Sequence, residues 1–412
     1  MKPVVFCLRF ISCLALLSPG VAFSQTPSNE ADKVAAAPVA HVYISQSPVK
    51  SGPNQVLGFA TAANGALTPI EGSPFDADVN LMATNGKFLF GGTTDELYLN
   101  TYTIEKDGAL KFAVANDISR LAGGAYSTQY STYLVLDHTG ATLYDLRFNV
   151  DTNGYYEAFV IDKATGALTL PPGSITDAGN DQTGPGAFVF SANDKYMYCV
   201  DSGYAGFDIC GYDRASNGAL VNSPVISPRI SSPVDKSGYR FDPIGISADP
   251  SNHVAVAFAN EEGDEGPENG PNQLGVYTAD SRGNLTTTST YKNMPKVAVG
   301  DVGLKMSPSG KLLAAFGDKG LQVFHFNGGE PITNDATLVK DVDFEQAYWD
   351  DNDHLFAVSQ NSGKLYVFTV TPTHVAKAPG SPYSIPGAQN LIVHPLRPQE
   401  RPETPERSAE LL

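Results

Sequence analysis

The chain reads as an all-β protein, a seven-bladed β-propeller of four-stranded blades that is closed by a C-terminal strand completing the first blade. Three observations predict this. A glycine turn recurs between short alternating strands, and an apolar inner strand recurs seven times, typically ending in a polar turn that leads to a second apolar strand. The first repeat lacks its inner strand, while the last apolar segment is an inner strand with nothing after it.

The glycine turn appears as Asn64-Gly65-Ala66-Leu67, Asp107-Gly108-Ala109-Leu110, Thr165-Gly166-Ala167-Leu168, Asn217-Gly218-Ala219-Leu220 and Arg282-Gly283-Asn284-Leu285. Tight hairpins need a positive φ at this position, which glycine accepts without steric cost. Outer strands are followed by Gly72-Ser73-Pro74-Phe75, Asn222-Ser223-Pro224-Val225 and Gly380-Ser381-Pro382-Tyr383. Proline suits an outer edge because it donates no ladder hydrogen bond. The inner strands fall at 79–83, 129–136, 187–190, 244–247, 302–306, 345–349 and 390–393. Pairing the last of these with the repeat that opens at Val42-Tyr43-Ile44 seals the ring and removes a long exposed edge. A two-sheet sandwich or a pair of smaller β domains has no use for this recurrence.

The ends read differently. Residues 1–24 form a signal peptide: Lys2 precedes an apolar run, and Ala22-Phe23-Ser24 supplies small residues around a cleavage point. That run falls short of the roughly 20 residues a membrane helix needs, and no later stretch approaches it. A lipoprotein reading through Cys13 is disfavoured by Arg9 within the apolar run. Residues 25–38 are expected to be a disordered linker, 39–396 the propeller and 397–412 a disordered tail rich in proline and charge. The expected location is periplasmic or secreted, as a monomer with no membrane span. The formal charge of −17 becomes −19 once Lys2 and Arg9 leave with the signal. Such a surface repels phosphate backbones, so nucleic acid is not a partner. Cys199 and Cys210 remain after export, opposite one another in an expected hairpin. A disulfide and a pair of buried free thiols both fit.

Propeller topology puts the links between second and third strands, and from outer strand to next inner strand, on the mouth. These links read as long at 45–55, 119–128, 145–157, 174–184, 226–243 and 260–273, and as short at 317–320 and 360–364. Loop-rich rims are where scaffolds carry function. The loop at 260–273 is acidic, and Glu261, Glu262 and Asp264 offer oxygen ligands to a calcium ion. Its spacing matches no calcium-loop pattern, and a solvated lobe is the alternative. No other metal site is read from the sequence.

The turns of Asn-Gly-Ala-Leu type, the Gly-Ser-Pro-Phe ends and the strand closing at Ser307-Pro308-Ser309-Gly310 resemble the seven-bladed lactonase family of 6-phosphogluconolactonase-like and carboxymuconate-cyclising propellers. The likeness spans 41–395. It implies the propeller fold and a lactone-opening activity at the mouth. The family carries a Gly-Pro-Arg-His stretch followed by an Asn-Glu pair. Here the matching residues are Gly184-Pro185-Gly186-Ala187 and Asp201-Ser202, so the Gly-Pro is kept and the arginine and histidine are not. Nor do histidines replace them. His138, His253, His354 and His394 fall at first turns away from the mouth, His41 and His374 lie on that same side, and His325 sits within a third strand.

Chemistry must therefore come from carboxylates, guanidinium groups and phenols. The expected catalytic residues are Asp201 or Asp242 to activate water, with Arg147 or Arg240 to steady an oxyanion. Tyr155, Glu157, Tyr204, Asp208, Tyr239, Asp301 and Gln346 are expected ligand-binding residues at the rim and channel, to which Asn80, Gln129, Glu345 and Gln389 add polar groups. Two functions fit: an exported lactone hydrolase acting on a small molecule, or a non-catalytic propeller that holds an envelope protein or glycan through its rim.

Overall fold

The computed structural model describes residues 37–47, 53–119, 130–148, 154–177, 185–201, 208–222, 227–230, 239–262 and 270–397. The signal peptide, most of the expected linker and tail, Gln129, Tyr204 and Asp264 lie outside them. Seven antiparallel sheets make up the propeller, each ordered from an inner to an outer strand. The inner strands of blades 2 to 7 are Met82–Thr84, Tyr130–Leu136, Pro185–Phe190, Tyr239–Ala248, Gly303–Met306 and Gln346–Trp349. Blade 1 takes its inner strand from the far end of the chain. Ala388–Pro395 pairs antiparallel with Ala40–Gln46, with Ile392 opposite Tyr43 and Leu391 opposite Ile44. The closure expected from the unfinished first repeat is present.

Seven apolar clusters hold the ring together, and each joins one blade to the next. Phe88, Phe90 and Leu99 of blade 2 pack on Leu143 and Phe159 of blade 3, and Tyr144 and Tyr156 of blade 3 pack on Phe188 and Met197 of blade 4. At the seam, Val42 and Ile44 of blade 1 meet Phe356 and Val367 of blade 7. Burying a side chain of this size contributes about 1.5–3 kcal/mol. Each cluster draws on two blades, so a blade cannot bury its own faces alone.

Away from the mouth, polar side chains organise the turns. Asp249 Oδ1 accepts from the backbone N–H groups of Ser251 and His253, and its Oδ2 lies 2.8 Å from His253 Nδ1. Asp350 repeats the arrangement with Asn352 and His354, the Nδ1 contact being 2.7 Å. These histidines complete turns. Tyrosines then tie blades together: Tyr43, Tyr144 and Tyr198 donate their hydroxyls to the carbonyls of Gly108, Gly218 and Gly283 in the glycine turn of the following blade, at 2.8 to 3.0 Å. Cys199 and Cys210 stand directly opposite on neighbouring strands of blade 4 and are joined by a disulfide.

The structure corrects one expectation about the rim. Strands reach further toward the mouth than their charged residues suggest. Thr142–Phe148 and Tyr155–Ile161 pair as far as Tyr155 with Arg147, so much of the expected 145–157 loop is ladder. Likewise Tyr239, Arg240 and Asp242 belong to an inner strand whose partner extends to Glu262. Asp201 and Asp208 pair across the hairpin of blade 4.

Candidate functional site

The inner strands alternate, sending one face into the central channel and the other into the blade interfaces. In blade 6 Gly303 and Lys305 face the channel while Leu304 and Met306 are buried. In blade 7 Gln346 and Tyr348 face it while Ala347 and Trp349 are buried. Gly303 matters because the Phe316 ring folds over it; a Cβ there would lie 2.3 Å from Phe316 Cε2. Trp349 is an interface residue whose indole N–H donates to the Lys305 carbonyl.

Two neighbouring cavities follow. The upper one opens at the mouth with a volume of about 530 Å³ and is walled by blades 3 to 7. The lower one, about 260 Å³, occupies the channel and touches all seven blades. Tyr133, Ala187, Gly303, Phe316 and Glu345 border both.

Four carboxylates line the upper cavity: Asp301, Asp318, Asp343 and Glu345. No lysine, arginine or histidine does so among the described residues. Asp318 Oδ1 accepts from the backbone N–H of Gly300 at 2.8 Å, and Asp343 Oδ2 from Asn361 Nδ2 at 2.6 Å. Glu345 Oε2 accepts from the Gln360 backbone N–H at 2.8 Å. Burial nonetheless holds the Glu345 carboxyl above its ordinary range. That is the direction a general base working near neutrality requires. Asp301 is exposed and sits in the left-handed region at φ 42°.

Other expected site residues are elsewhere. Arg147 and Glu157 lie with Asp145 inside the interface of blades 2 and 3, facing away from blade 4. Glu157 is directly opposite Asp145 on the neighbouring strand, and all three are almost fully buried. Arg147 donates from Nη1 to the Ile118 carbonyl at 2.9 Å, and Ser131 donates to Asp145 Oδ2 at 3.0 Å. Burial raises Asp145 to about 6, against the pull of Arg147. Burial, and then the Asp145 charge, raises Glu157 to about 8. Tyr155 is half-buried and pairs with both Arg147 and Asp177. Asp242 is fully buried. Gln346 faces the channel and accepts the Leu391 N–H at 2.6 Å through Oε1. Asp201, Asp208, Tyr239, Arg240, Glu261 and Glu262 are placed by their backbone alone, at the mouth-side ends of their strands. Among the described residues, no three His, Cys, Asp or Glu side chains converge as metal ligands. No helix there is long and apolar enough to cross a membrane.

Sequence reading missed Asp318, Asp343 and Lys305. It favoured the blades with long links, whereas the upper cavity draws most of its polar lining from blades 6 and 7, whose links are short. Asp301 and Glu345, each just before an inner strand, gave the usable signal.

No family model matches the chain, and no curated protein matches its sequence. Solved structures do match. A candidate 6-phosphogluconolactonase from Bacteroides fragilis superposes with a TM-score of 0.60 at 13% identity, covering 86% of this chain and 97% of that one. A similar candidate from Bacteroides uniformis gives 0.59 at 12%, covering 86% and 99%. The fold is thus that of the seven-bladed propellers among which 6-phosphogluconolactonase-like proteins are found. Within that class, the periplasmic gluconolactonase of Pseudomonas aeruginosa aligns with a TM-score of 0.58 at 16% identity, over 86% of this chain and 99% of its own. At such identities the likeness is one of fold.

Proposed function

We propose that this chain is an exported hydrolase that opens a small, uncharged lactone in the mouth cavity. The observation that carries the reading is the cavity of about 530 Å³ lined by four carboxylates and, among described residues, no cation. Such a wall accepts a polyhydroxylated neutral ring through hydrogen bonds and repels a phosphorylated one. Glu345 takes a proton from an attacking water, whose oxygen adds to the ring carbonyl; the acyl C–O bond then breaks, Glu345 returns the proton to the departing ring oxygen as a hydroxyl, and the new carboxylic acid releases its proton to solvent as the carboxylate forms. Arg240 and Asp201, at strand ends on the rim, are the groups assigned to steady the oxyanion and to assist the water. The fold likeness to a periplasmic gluconolactonase supports both a lactone substrate and an export location.

The test is hydrolysis of glucono-1,5-lactone and of its 6-phosphate by the purified protein. The neutral lactone is expected to be opened above background and the phosphorylated one at least about tenfold more slowly. Glu345→Gln is expected to lower kcat by about 10²-fold, and Arg240→Ala to lower it as well. A protein that opens neither lactone above background overturns the proposal. A second reading, a propeller that holds a glycan or envelope protein without chemistry, draws on Arg147. Its guanidinium reaches inward to Ile118 and not into the cavity. Specific retention of an envelope glycan, with no lactone turned over, would favour it.

A further inference from the structure

Below the acidic mouth the charge balance changes, because a lysine joins Glu345 in the wall. The lower cavity has one basic side chain among its described lining residues, Lys305, and its ammonium sits 4.0 Å from the centre of the Tyr348 ring. Much of the surrounding wall is apolar, with Leu81, Leu134, Phe188 and Ile246 contributing. No carboxylate among the described residues forms an ion pair with Lys305, although Glu345 borders the same space. A ring face balances an ammonium only weakly, and a partly desolvated cation in an apolar tube favours an anion beside it.

Neutral donors surround the same volume. Gln346 uses Oε1 to accept the Leu391 N–H, and its amide nitrogen donates to no described residue. Ser247 accepts the Met306 N–H on its hydroxyl oxygen, which leaves its hydroxyl proton to give. One fixed charge, an amide and a hydroxyl in the wall of one cavity suit a planar carboxylate, whose two oxygens accept charge-assisted hydrogen bonds. The space adjoins the mouth cavity, with Glu345 and Phe316 in the wall of both.

We propose that Lys305, Gln346 and Ser247 form an anion subsite in the central channel that binds the carboxylate of a small hydroxy acid. That this acid is the ring-opened product rests on the lactonase reading above; the subsite does not. Ring opening creates a carboxylate beside Glu345, where four acids repel it, and the ammonium in the lower cavity attracts it. The channel thereby separates product from the reacting position.

Calorimetric titration of the full protein with sodium gluconate, sodium acetate and sorbitol tests this without turnover. Gluconate is expected to bind at low ionic strength, and sorbitol, its uncharged counterpart, at least about tenfold more weakly. Lys305→Met keeps an unbranched side chain, one atom shorter, and removes the charge; it is expected to weaken gluconate at least about tenfold, while Lys305→Arg stays within about threefold. Should Lys305→Met not fold, salt reads the charge in the unaltered protein, because added salt weakens gluconate binding to a charged subsite. Gluconate binding that is absent, matched by sorbitol, or unchanged in Lys305→Met overturns the subsite. Acetate separates the two proposals. Lys305-dependent acetate binding without lactone turnover keeps the subsite and removes the lactonase reading, and turnover with Lys305-independent carboxylate binding does the reverse.

Discussion

Asp145, Arg147 and Glu157 form a cluster that is neutral only when one carboxyl keeps its proton. In the unfolded chain the acids ionise near 3.8 and 4.5; in the fold they do so at about 6 and about 8. Ser131 faces the cluster from the inner strand and Glu96 from blade 2, where the Arg147 charge acts on it. Because both values are raised, their contribution to stability is complete below pH 4 and is lost as pH climbs first through about 6 and then through about 8. Glu157→Gln cannot ionise, so urea midpoints for the variant should fall less steeply on the alkaline side. At pH 9 the variant should be more stable than the parent by about 1–3 kcal/mol. A steeper alkaline fall in the variant would contradict this assignment. The residue types were legible in the sequence, but their burial was not, since Asp-Leu-Arg-Phe and Tyr-Tyr-Glu look equally at home in a loop.

Strands and turns carry the inter-blade ties. Tyr198→Phe removes a single hydrogen bond to the Gly283 carbonyl and should cost about 1 kcal/mol in urea unfolding. Tyr144→Phe should cost more, because its hydroxyl also accepts from Arg214 Nε at 2.6 Å, and Arg214 in turn reaches Asp137. Equal costs would mean that Arg214 finds another partner. The disulfide joins residues 11 apart in sequence. Replacing both cysteines by alanine should lower stability by about 2–3 kcal/mol, the entropy of a short closed loop, and the difference should vanish when both proteins are compared under reduction. Turns were readable because a positive φ selects glycine there: Gly65, Gly108, Gly166, Gly218 and Gly283 all have φ between 75° and 87°. Strand ends at the mouth were not, because pairing partners rather than side-chain chemistry decide where a ladder stops.

The ring as a whole depends on one long-range pairing. Ala388–Pro395 fills the inner place of blade 1, and its Leu391 and Val393 pack with Phe356 and Val358 of blade 7. Ending the chain at residue 387 would uncover the edge of Ala40–Gln46 and open the last interface. Such a protein should lose its single cooperative transition and self-associate through the free edge, to be checked by circular dichroism melts and sedimentation. A truncated chain that melts like the parent would show that the seam is dispensable. The acidic mouth belongs to the same scale, since its four carboxylates come from links scattered between residues 301 and 345.

Repetition by itself determined the blade count, the closure and the side on which each turn lies, because every repeat must satisfy the same steric and pairing rules and an unfinished repeat can be completed in one way. The places of the histidines in the repeats also pointed them away from the mouth. Only the tertiary structure decided which charged residues reach open space. Lys305 faces the channel and Arg147 the interface of two blades because the alternation of a strand acquires an inside and an outside only when the ring is built around it.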